Sequence, residues 1–179
     1  MLTIDWEKNS GWGKPKIVPY GPIKVEATNT SLHYGISAIE GISSVLNATT
    51  KKPQAFRLPE HIDSFSAAGR HLDLPGFDKN ELAACVKKLN EVDQDWYIKS
   101  DHPSQMYTRL CHFSTDNTLG IKTANSSKLM AILSPNTLRY KERKVKCATG
   151  ITKSWPKGHG AFRIGGNFGP LIPISLDSR

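Results

Sequence analysis

DKNELAACVKKLNEV, residues 78–92, carries the plainest helical pattern of the chain. It opens with Asp78 and, three residues later, Glu81, a pair that resembles a capping box at the start of a helix. One apolar face then follows at helical spacing, formed by Leu82, Val86, Leu89 and Val92. The sequence therefore predicts a long amphipathic helix that ends near Trp96.

Two further helices are predicted upstream of this one. Residues 59–75 begin with a proline, which is well suited to the first turn of a helix, and they carry one apolar stripe, formed by Ile62, Phe65 and Leu72. Residues 31–37 open with a serine suited to an N-cap, and a shorter apolar stripe extends toward Gly41, formed by Leu32, Ile36 and Ile39. We therefore expect an amphipathic helix that ends near Pro75, preceded by a short helix.

The remaining regular segments have the character of strands. Residues 42–46 and 54–58 are short β-compatible runs separated by a polar stretch with Pro53, which predicts a hairpin. Residues 105–113 alternate in the manner of a strand, and residues 129–133 form a compact apolar run suited to a central strand. Helices interspersed with strands predict a sheet domain of the α/β or α+β class.

Length and composition favour an ordinary globular domain. The chain has 179 residues, of which 38% are hydrophobic, enough to fill one core. Its apolar runs are too short to cross a bilayer and its first residues lack the pattern of a signal peptide, so we expect a soluble protein. The cysteines are scattered, odd in number and without CxxC spacing, which argues against a disulfide framework or a zinc site and favours a reducing compartment: Cys85, Cys111 and Cys147.

Positive charge is concentrated late in the chain, whose formal net charge is +8. Residues 139–157 contain the single acid Glu142 among many bases, namely Arg139, Lys141, Arg143, Lys144, Lys146, Lys153 and Lys157. Such a stretch is typical of a solvated face or linker, and it also suits contact with an acidic protein, a nucleic acid or anionic lipid. We therefore divide the chain into a sheet-and-helix domain, residues 1–138, and a basic, then Gly-rich, segment, residues 139–179.

Four stretches occur in the order found in the branched-chain amino acid aminotransferases, which are fold-type IV pyridoxal phosphate enzymes. They are LHYGISAIEG (32–41), PEHIDSFSAAGR (59–70), YTR (107–109) and GHGAFRIGGNFG (158–169). The chain resembles the N-terminal half of such an enzyme over almost its whole length. The resemblance implies the small domain of an aminotransferase dimer followed by a Gly-rich connection, with the larger C-terminal domain missing from this chain.

At the position of the family's imine-forming lysine, two residues before the glycine pair, this sequence has Arg163. An imine needs an amine that can lose its proton, whereas a guanidinium stays charged and is not nucleophilic. Ser64 stands where the resemblance places an arginine that grips the cofactor phosphate, and Phe168 replaces a tyrosine that contacts the cofactor ring oxygen. Arg70 lies two helical turns beyond Ser64 as a possible substitute grip. Together these departures imply that the chain has no catalytic residue at this site and does not use pyridoxal phosphate.

Three other positions match the family. By resemblance Tyr34, Tyr107 and Arg109 line the substrate pocket, while Ile39 replaces a pocket aromatic residue. Tyr107 and Arg109 are two apart on a predicted strand, so their side chains share one face. This set is either a retained packing cluster or a surviving site for a carboxylate.

The resemblance leaves three functions open. The first is an aminotransferase-like protein that has lost catalysis and serves as a structural or binding subunit of a larger assembly, in contact with protein partners. The second is a partial or variant chain of an active enzyme, which transfers an amino group between leucine, isoleucine or valine and 2-oxoglutarate with pyridoxal phosphate. The third is a pocket that senses amino or keto acids through Arg109. An intracellular location follows from the absence of a signal, and the mitochondrion is favoured over the cytoplasm by family habit alone.

Overall fold

A computed structural model describes residues 1–97, 105–136 and 158–177 of the chain. Its strands are β1 (Leu2–Glu7), β2 (Gly11–Trp12), β3 (Lys16–Ile17), β4 (Ser37–Leu46), β5 (Pro53–Ala55), β6 (Gln105–Ser114) and β7 (Ser126–Asn136). They pair antiparallel throughout this part, in the order β2-β1-β7-β6-β4-β5, and β3 also pairs with β1. The predicted sheet domain is therefore confirmed, and its antiparallel pairing makes it α+β.

The helices are α1 (Thr30–Tyr34), α2 (Leu58–His71), α3 (Lys79–Val92) and α4 (Leu171–Asp177). Of these, α2 and α3 pack on one face of the sheet. The core joins the apolar stripes of α2 and α3 to the buried face of the long strands, with Phe65, Ile62, Val86, Leu89, Ile42, Leu110 and Leu129 among its members. Removing these side chains from water supplies the main driving force of folding.

The predicted cap of α3 is present, whereas its predicted end is too late. The Asp78 carboxylate accepts hydrogen bonds from the backbone N–H groups of Asn80 and Glu81, at 2.8 and 2.9 Å. The α-helix ends at Val92 and is followed by a short 3₁₀ turn, Gln94–Tyr97. This turn brings the Tyr97 hydroxyl back into the core, where it donates to Asn90.

The short helix predicted at residues 31–37 is correct only at its start. It ends at Tyr34 because Gly35 adopts the left-handed conformation, with φ of 65°, which glycine accepts without the strain imposed by a Cβ. The chain then enters β4 at Ser37, so Ile36 and Ile39 do not continue a helical stripe. The buried side of this strand includes Glu40, a polar residue that hides the strand alternation in the sequence.

The other predicted elements are present, two of them with different ends. Strands β4 and β5 form the hairpin, and β6 and β7 lie in the middle of the sheet. Helix α2 has Pro59 in its first turn but ends at His71, before the predicted Pro75, and β5 stops at Ala55, because Leu58 already belongs to α2. The division at residues 138 and 139, the basic stretch 139–157 and Cys147 lie outside the described residues. No helix among the described residues is long and apolar enough to span a membrane.

Candidate binding cavity around Arg163

The Gly-rich segment, residues 158–170, docks against the start of β4. The Ile39 backbone N–H donates to the Arg163 carbonyl at 2.9 Å, and Ala38 and Ile164 form an isolated antiparallel bridge. Gly165 lies so close to the strand that a Cβ there would meet the Ser37 hydroxyl, which would have to turn away. The backbone therefore fixes the position of Arg163 next to the sheet.

The Arg163 side chain is held by a buried carboxylate. Its Nη1 donates to Oε1 of Glu40 at 2.6 Å. The same oxygen accepts the Gly41 backbone N–H at 2.8 Å and lies 3.4 Å from Nδ1 of His61 on α2. The Glu40 side chain is only 2% exposed, whereas that of Arg163 is 46% exposed. Because a buried carboxylate is costly without a partner, this bond stabilises the docking of the Gly-rich segment.

A cavity of about 560 Å³ opens beside the exposed part of Arg163. Its wall includes Tyr34 from α1, Leu72 from the end of α2, and Phe168 and Leu171 from the Gly-rich segment and α4. Neither an acidic residue nor a lysine lines it within the described part of the chain. The structure thus brings together three residues singled out in the sequence: Tyr34, Arg163 and Phe168.

A second contact between α2 and the Gly-rich segment joins His71 of α2 to Phe162 and His159, two residues of the cavity wall. The ring of His71 stacks on Phe162, with centroids 4.1 Å apart and an interplanar angle of 14°. Its Nε2 lies 2.8 Å from Nδ1 of His159, a hydrogen-bonding distance. Ser64 is exposed one turn beyond His61 and two turns before His71, and it does not line the cavity. Arg70 is also exposed and outside the cavity wall.

Tyr107 and Arg109 form a separate cluster on the face of β6 that points away from the core of α2 and α3. The Arg109 guanidinium carbon lies 5.2 Å from the centre of the Tyr107 ring, a distance typical of a cation–π contact. A Cβ on Gly41 would collide with the Tyr107 hydroxyl, so glycine on the neighbouring strand gives this ring its space. Both residues lie outside the Arg163 cavity. Their role in recognising a carboxylate stays a prediction.

Sequence reasoning missed four residues of this region: Glu40, His61, His71 and His159. Strand alternation could have revealed Glu40, because it lies on the same buried side of β4 as Ala38 and Ile42. A carboxylate buried in this way requires a cationic partner. Its partner Arg163 is 123 residues away, and no local pattern connects them.

The residues of this cavity do not match the needs of a pyridoxal phosphate site. The cavity offers a guanidinium in place of an amine, and that guanidinium is bound to Glu40. Phe168 has no hydroxyl to offer a ring oxygen, and the Ser64 hydroxyl is absent from the wall. We therefore derive no reaction step through this cofactor.

Comparisons with known proteins point to one family, although no protein-family model matches the chain. A branched-chain-amino-acid aminotransferase of Dictyostelium discoideum is 31% identical over 99% of this chain and 48% of its own length. The mitochondrial enzyme of Rattus norvegicus is 27% identical over 100% of this chain and 46% of its own length. The cytosolic enzyme of Mus musculus is 30% identical over 96% of this chain and 45% of its own length.

Solved structures agree at the level of the fold. A branched-chain amino acid aminotransferase from Thermoproteus uzoniensis, solved with norvaline, superposes with a TM-score of 0.60 at 19% identity, over 100% of this chain and 57% of that one. The Escherichia coli enzyme superposes with a TM-score of 0.63 at 18% identity, over 100% of this chain and 55% of that one. The chain spans about half the length of the curated relatives it matches. By sequence and by fold, the chain is thus a relative of the branched-chain amino acid aminotransferases.

Proposed function

We propose that this chain is a branched-chain aminotransferase-like domain that has lost imine chemistry and serves as a structural or binding subunit of a larger assembly. The observation that carries the proposal is the 2.6 Å bond between Arg163 and the buried carboxylate of Glu40. It gives the residue at the family's lysine position a role in holding the fold together. Compartment stays open in this proposal, because relatives are named for both the mitochondrion and the cytosol.

The chemistry of the side chain supports this proposal. A covalent bond to a carbonyl needs a nitrogen lone pair, and the guanidinium delocalises its lone pairs and keeps its proton. The Glu40 carboxylate accepts a hydrogen bond from this guanidinium. Arg163 therefore acts as a permanent cation and not as a nucleophile.

Two further positions are poorly suited to binding a ligand that carries a phosphate group. The Ser64 hydroxyl can donate one hydrogen bond, but it supplies neither positive charge nor the two-pronged geometry that an arginine offers to phosphate. Phe168 presents an apolar ring to the cavity. With Arg163 committed to Glu40, the described cavity wall lacks a second permanent cation for a phosphate dianion.

A second candidate is a partial or variant chain of an active aminotransferase that uses pyridoxal phosphate. It is favoured by the grouping of Tyr34, Arg163 and Phe168 around one cavity, and by relatives whose names describe branched-chain aminotransferases. On this proposal the complete protein would exchange amino groups between leucine, isoleucine or valine and 2-oxoglutarate. In that case the amine that forms the imine would have to come from a residue other than Arg163.

Covalent trapping separates the two candidates. The purified chain is incubated with pyridoxal phosphate, reduced with borohydride and weighed intact, with Arg163→Lys as a matched variant. We expect no stoichiometric mass increase that maps to residues 107–168 in the natural chain, and no visible imine absorbance band. A stoichiometric label in that region would overturn the proposal in favour of the second candidate.

The assembly part of the proposal has its own measurement. The chain is isolated from its native source under gentle conditions and its sedimentation is compared with that of the recombinant chain. We expect the native form to sediment as a larger complex, either with protein partners or as an aminotransferase-like dimer. A native form that sediments as a partner-free monomer would contradict it.

A further inference from the structure

We infer that His71 and His159 form a binding site for a divalent transition-metal ion that holds its ligands at right angles, such as Ni²⁺ or Cu²⁺. The ion joins the end of α2 to the Gly-rich segment. The site uses neither Arg163 nor the pocket tyrosines, so it goes beyond the proposed function and does not depend on it.

The distance between the two ring nitrogens matches right-angled coordination. Nε2 of His71 lies 2.8 Å from Nδ1 of His159. Imidazole nitrogens bind such metals at about 2.0 Å, so two of them at a right angle are about 2.8 Å apart. Tetrahedral coordination, the usual geometry of Zn²⁺, needs about 3.3 Å between the two nitrogens. The observed spacing therefore favours a square-planar or octahedral ion.

Both facing nitrogens can present a lone pair to the metal. In the present hydrogen bond one ring donates its N–H and the other ring accepts it. A neutral donor ring can carry its proton on its other nitrogen instead, so metal binding to this pair requires no net loss of a proton. The rings must also turn until their lone pairs converge beside the line between the nitrogens. The exposed position of His71 leaves room for this turn.

Neighbouring contacts hold the two rings together before a metal arrives. The ring of His71 stacks on Phe162, and Phe162 donates its backbone N–H to the His159 carbonyl at 3.1 Å. Nδ2 of Asn167 donates to the carbonyls of His159 and Phe162 at 2.7 and 2.9 Å, which closes the turn that carries His159. A second ligand held in place in this way raises affinity by about a hundredfold over one ligand alone.

The local charge is compatible with a cation. His71 is the last residue of α2, and the C-terminal end of a helix dipole attracts positive charge. Arg163 follows Phe162 in the chain, but its charge is offset by the hydrogen-bonded carboxylate of Glu40. The described residues contain no group of three or more metal-ligating side chains, so the remaining coordination positions belong to water.

The bound ion strengthens the docking of the Gly-rich segment. Its two ligands are 88 residues apart in the chain, and a link between such distant residues restricts the unfolded chain more than a local one does. At a Ni²⁺ concentration a hundred times the Kd, the thermal midpoint should rise by about 5 °C or more. Hydrogen exchange at the Ile39 amide, which donates to the Arg163 carbonyl, should slow at the same time.

The test is a calorimetric titration of Ni²⁺, Zn²⁺ and Mg²⁺ into the whole chain, produced without an affinity tag. We expect saturable binding of one Ni²⁺ per chain, weaker binding of Zn²⁺ and no measurable binding of Mg²⁺, which prefers oxygen ligands. Electron paramagnetic resonance of the chain with one equivalent of Cu²⁺ should show two coordinating nitrogens. The inference is overturned by a lack of saturable Ni²⁺ binding, or by Zn²⁺ binding more tightly than Ni²⁺.

Two variants locate the site, and a third serves as a control. His71→Gln and His159→Gln each remove one ligand, so each should weaken Ni²⁺ binding by about a hundredfold and leave one of the two nitrogens in the Cu²⁺ spectrum. His33→Gln changes a histidine of α1 that contacts the Ala27 carbonyl and should bind Ni²⁺ as the natural chain does.

Circular dichroism checks that each variant folds. If one of the two site variants fails to fold, the other decides, and the Cu²⁺ spectrum of the natural chain depends on neither. Unchanged Ni²⁺ binding in a folded His71→Gln or His159→Gln chain would refute the assignment.

Discussion

His112 should make the stability of this protein depend on pH through burial of a neutral imidazole. The residue lies on the covered side of β6 with 0% exposure, surrounded by the rings of Trp12, Phe65 and Phe77. Its Nε2 is 3.0 Å from the Ser127 hydroxyl, and its Nδ1 has no hydrogen-bond partner among the described residues. Burial without a compensating charge lowers the pKa of His112 from 6.5 to about 4.

The sign follows from proton binding in the two states. Between about pH 6.5 and about pH 4 the unfolded chain binds a proton at this position and the folded chain does not, so acid favours unfolding. The stabilisation is complete above the unfolded pKa and is lost as the pH falls through this window. At 1.36 kcal/mol for each pKa unit, the loss amounts to about 3 kcal/mol, a large part of the stability of an ordinary domain.

The measurement is urea unfolding, followed by circular dichroism, across this pH window. The natural chain is compared with His112→Gln, which keeps a polar end but cannot be protonated, and with His33→Gln, which changes an exposed histidine. The difference in unfolding free energy between the natural chain and His112→Gln should shift by about 3 kcal/mol from neutral pH to about pH 4. The His33→Gln difference should change far less.

Two results would refute this reasoning. One is a difference between the natural chain and His112→Gln that does not change with pH. The other is a His112 ring resonance that titrates in the folded protein near the ordinary histidine pKa. Either would mean that the imidazole accepts a proton inside the core, through a partner or water that compensates its charge.

Three further outcomes are expected. Arg163→Lys alone should not restore measurable leucine transamination, because Ser64 and Phe168 remain and poor positioning of a cofactor readily lowers the rate by a factor of about a hundred. Measurable leucine turnover by this variant would contradict the prediction. Asp78→Ala should lower the free energy of unfolding by about 1 kcal/mol in denaturant titrations, since it removes the N-cap of α3; an unchanged midpoint would contradict this. Charge reversal within residues 139–157, at Lys141, Arg143 and Lys144, should weaken partner association and reduce its salt dependence, as measured by sedimentation, if the partner face is acidic.

Local patterns predicted those parts of the fold that local interactions determine. The α3 helix could be located because Asp78 supplies a cap within one turn and Leu82, Val86 and Leu89 repeat at helical spacing. Its end could not, because Tyr97 is drawn into the core by Asn90 in the last turn of α3 and by Ser44 of β4, a strand distant in sequence. The end of α1 was missed because Leu32, Ile36 and Ile39 recur at helical spacing, whereas the left-handed conformation of Gly35 ends the helix before Ile36.

The candidate site was predictable residue by residue but not as an arrangement. The positions of Tyr34, Arg163 and Phe168 followed from resemblance, and they do line one cavity. The sequence could not indicate that Arg163 would bind Glu40, because that pairing depends on the Gly-rich segment docking against β4. Tyr107 and Arg109 share a face as strand alternation requires, yet they lie outside this cavity.

Under the proposal that imine chemistry is lost, the pairing of Arg163 with Glu40 would account for a preserved fold. A neutral residue at position 163 would leave the Glu40 carboxylate, which is 2% exposed, with only the Gly41 N–H and His61 beside it. Removing one partner of a buried charge is strongly destabilising, although the half-exposed Arg163 reduces that cost here. Arginine avoids this cost because it keeps the positive charge at hydrogen-bonding distance while it gives up the nucleophilic amine. The fold therefore needs a cation at position 163, whereas imine formation needs an amine there. Arginine meets only the first of these two requirements.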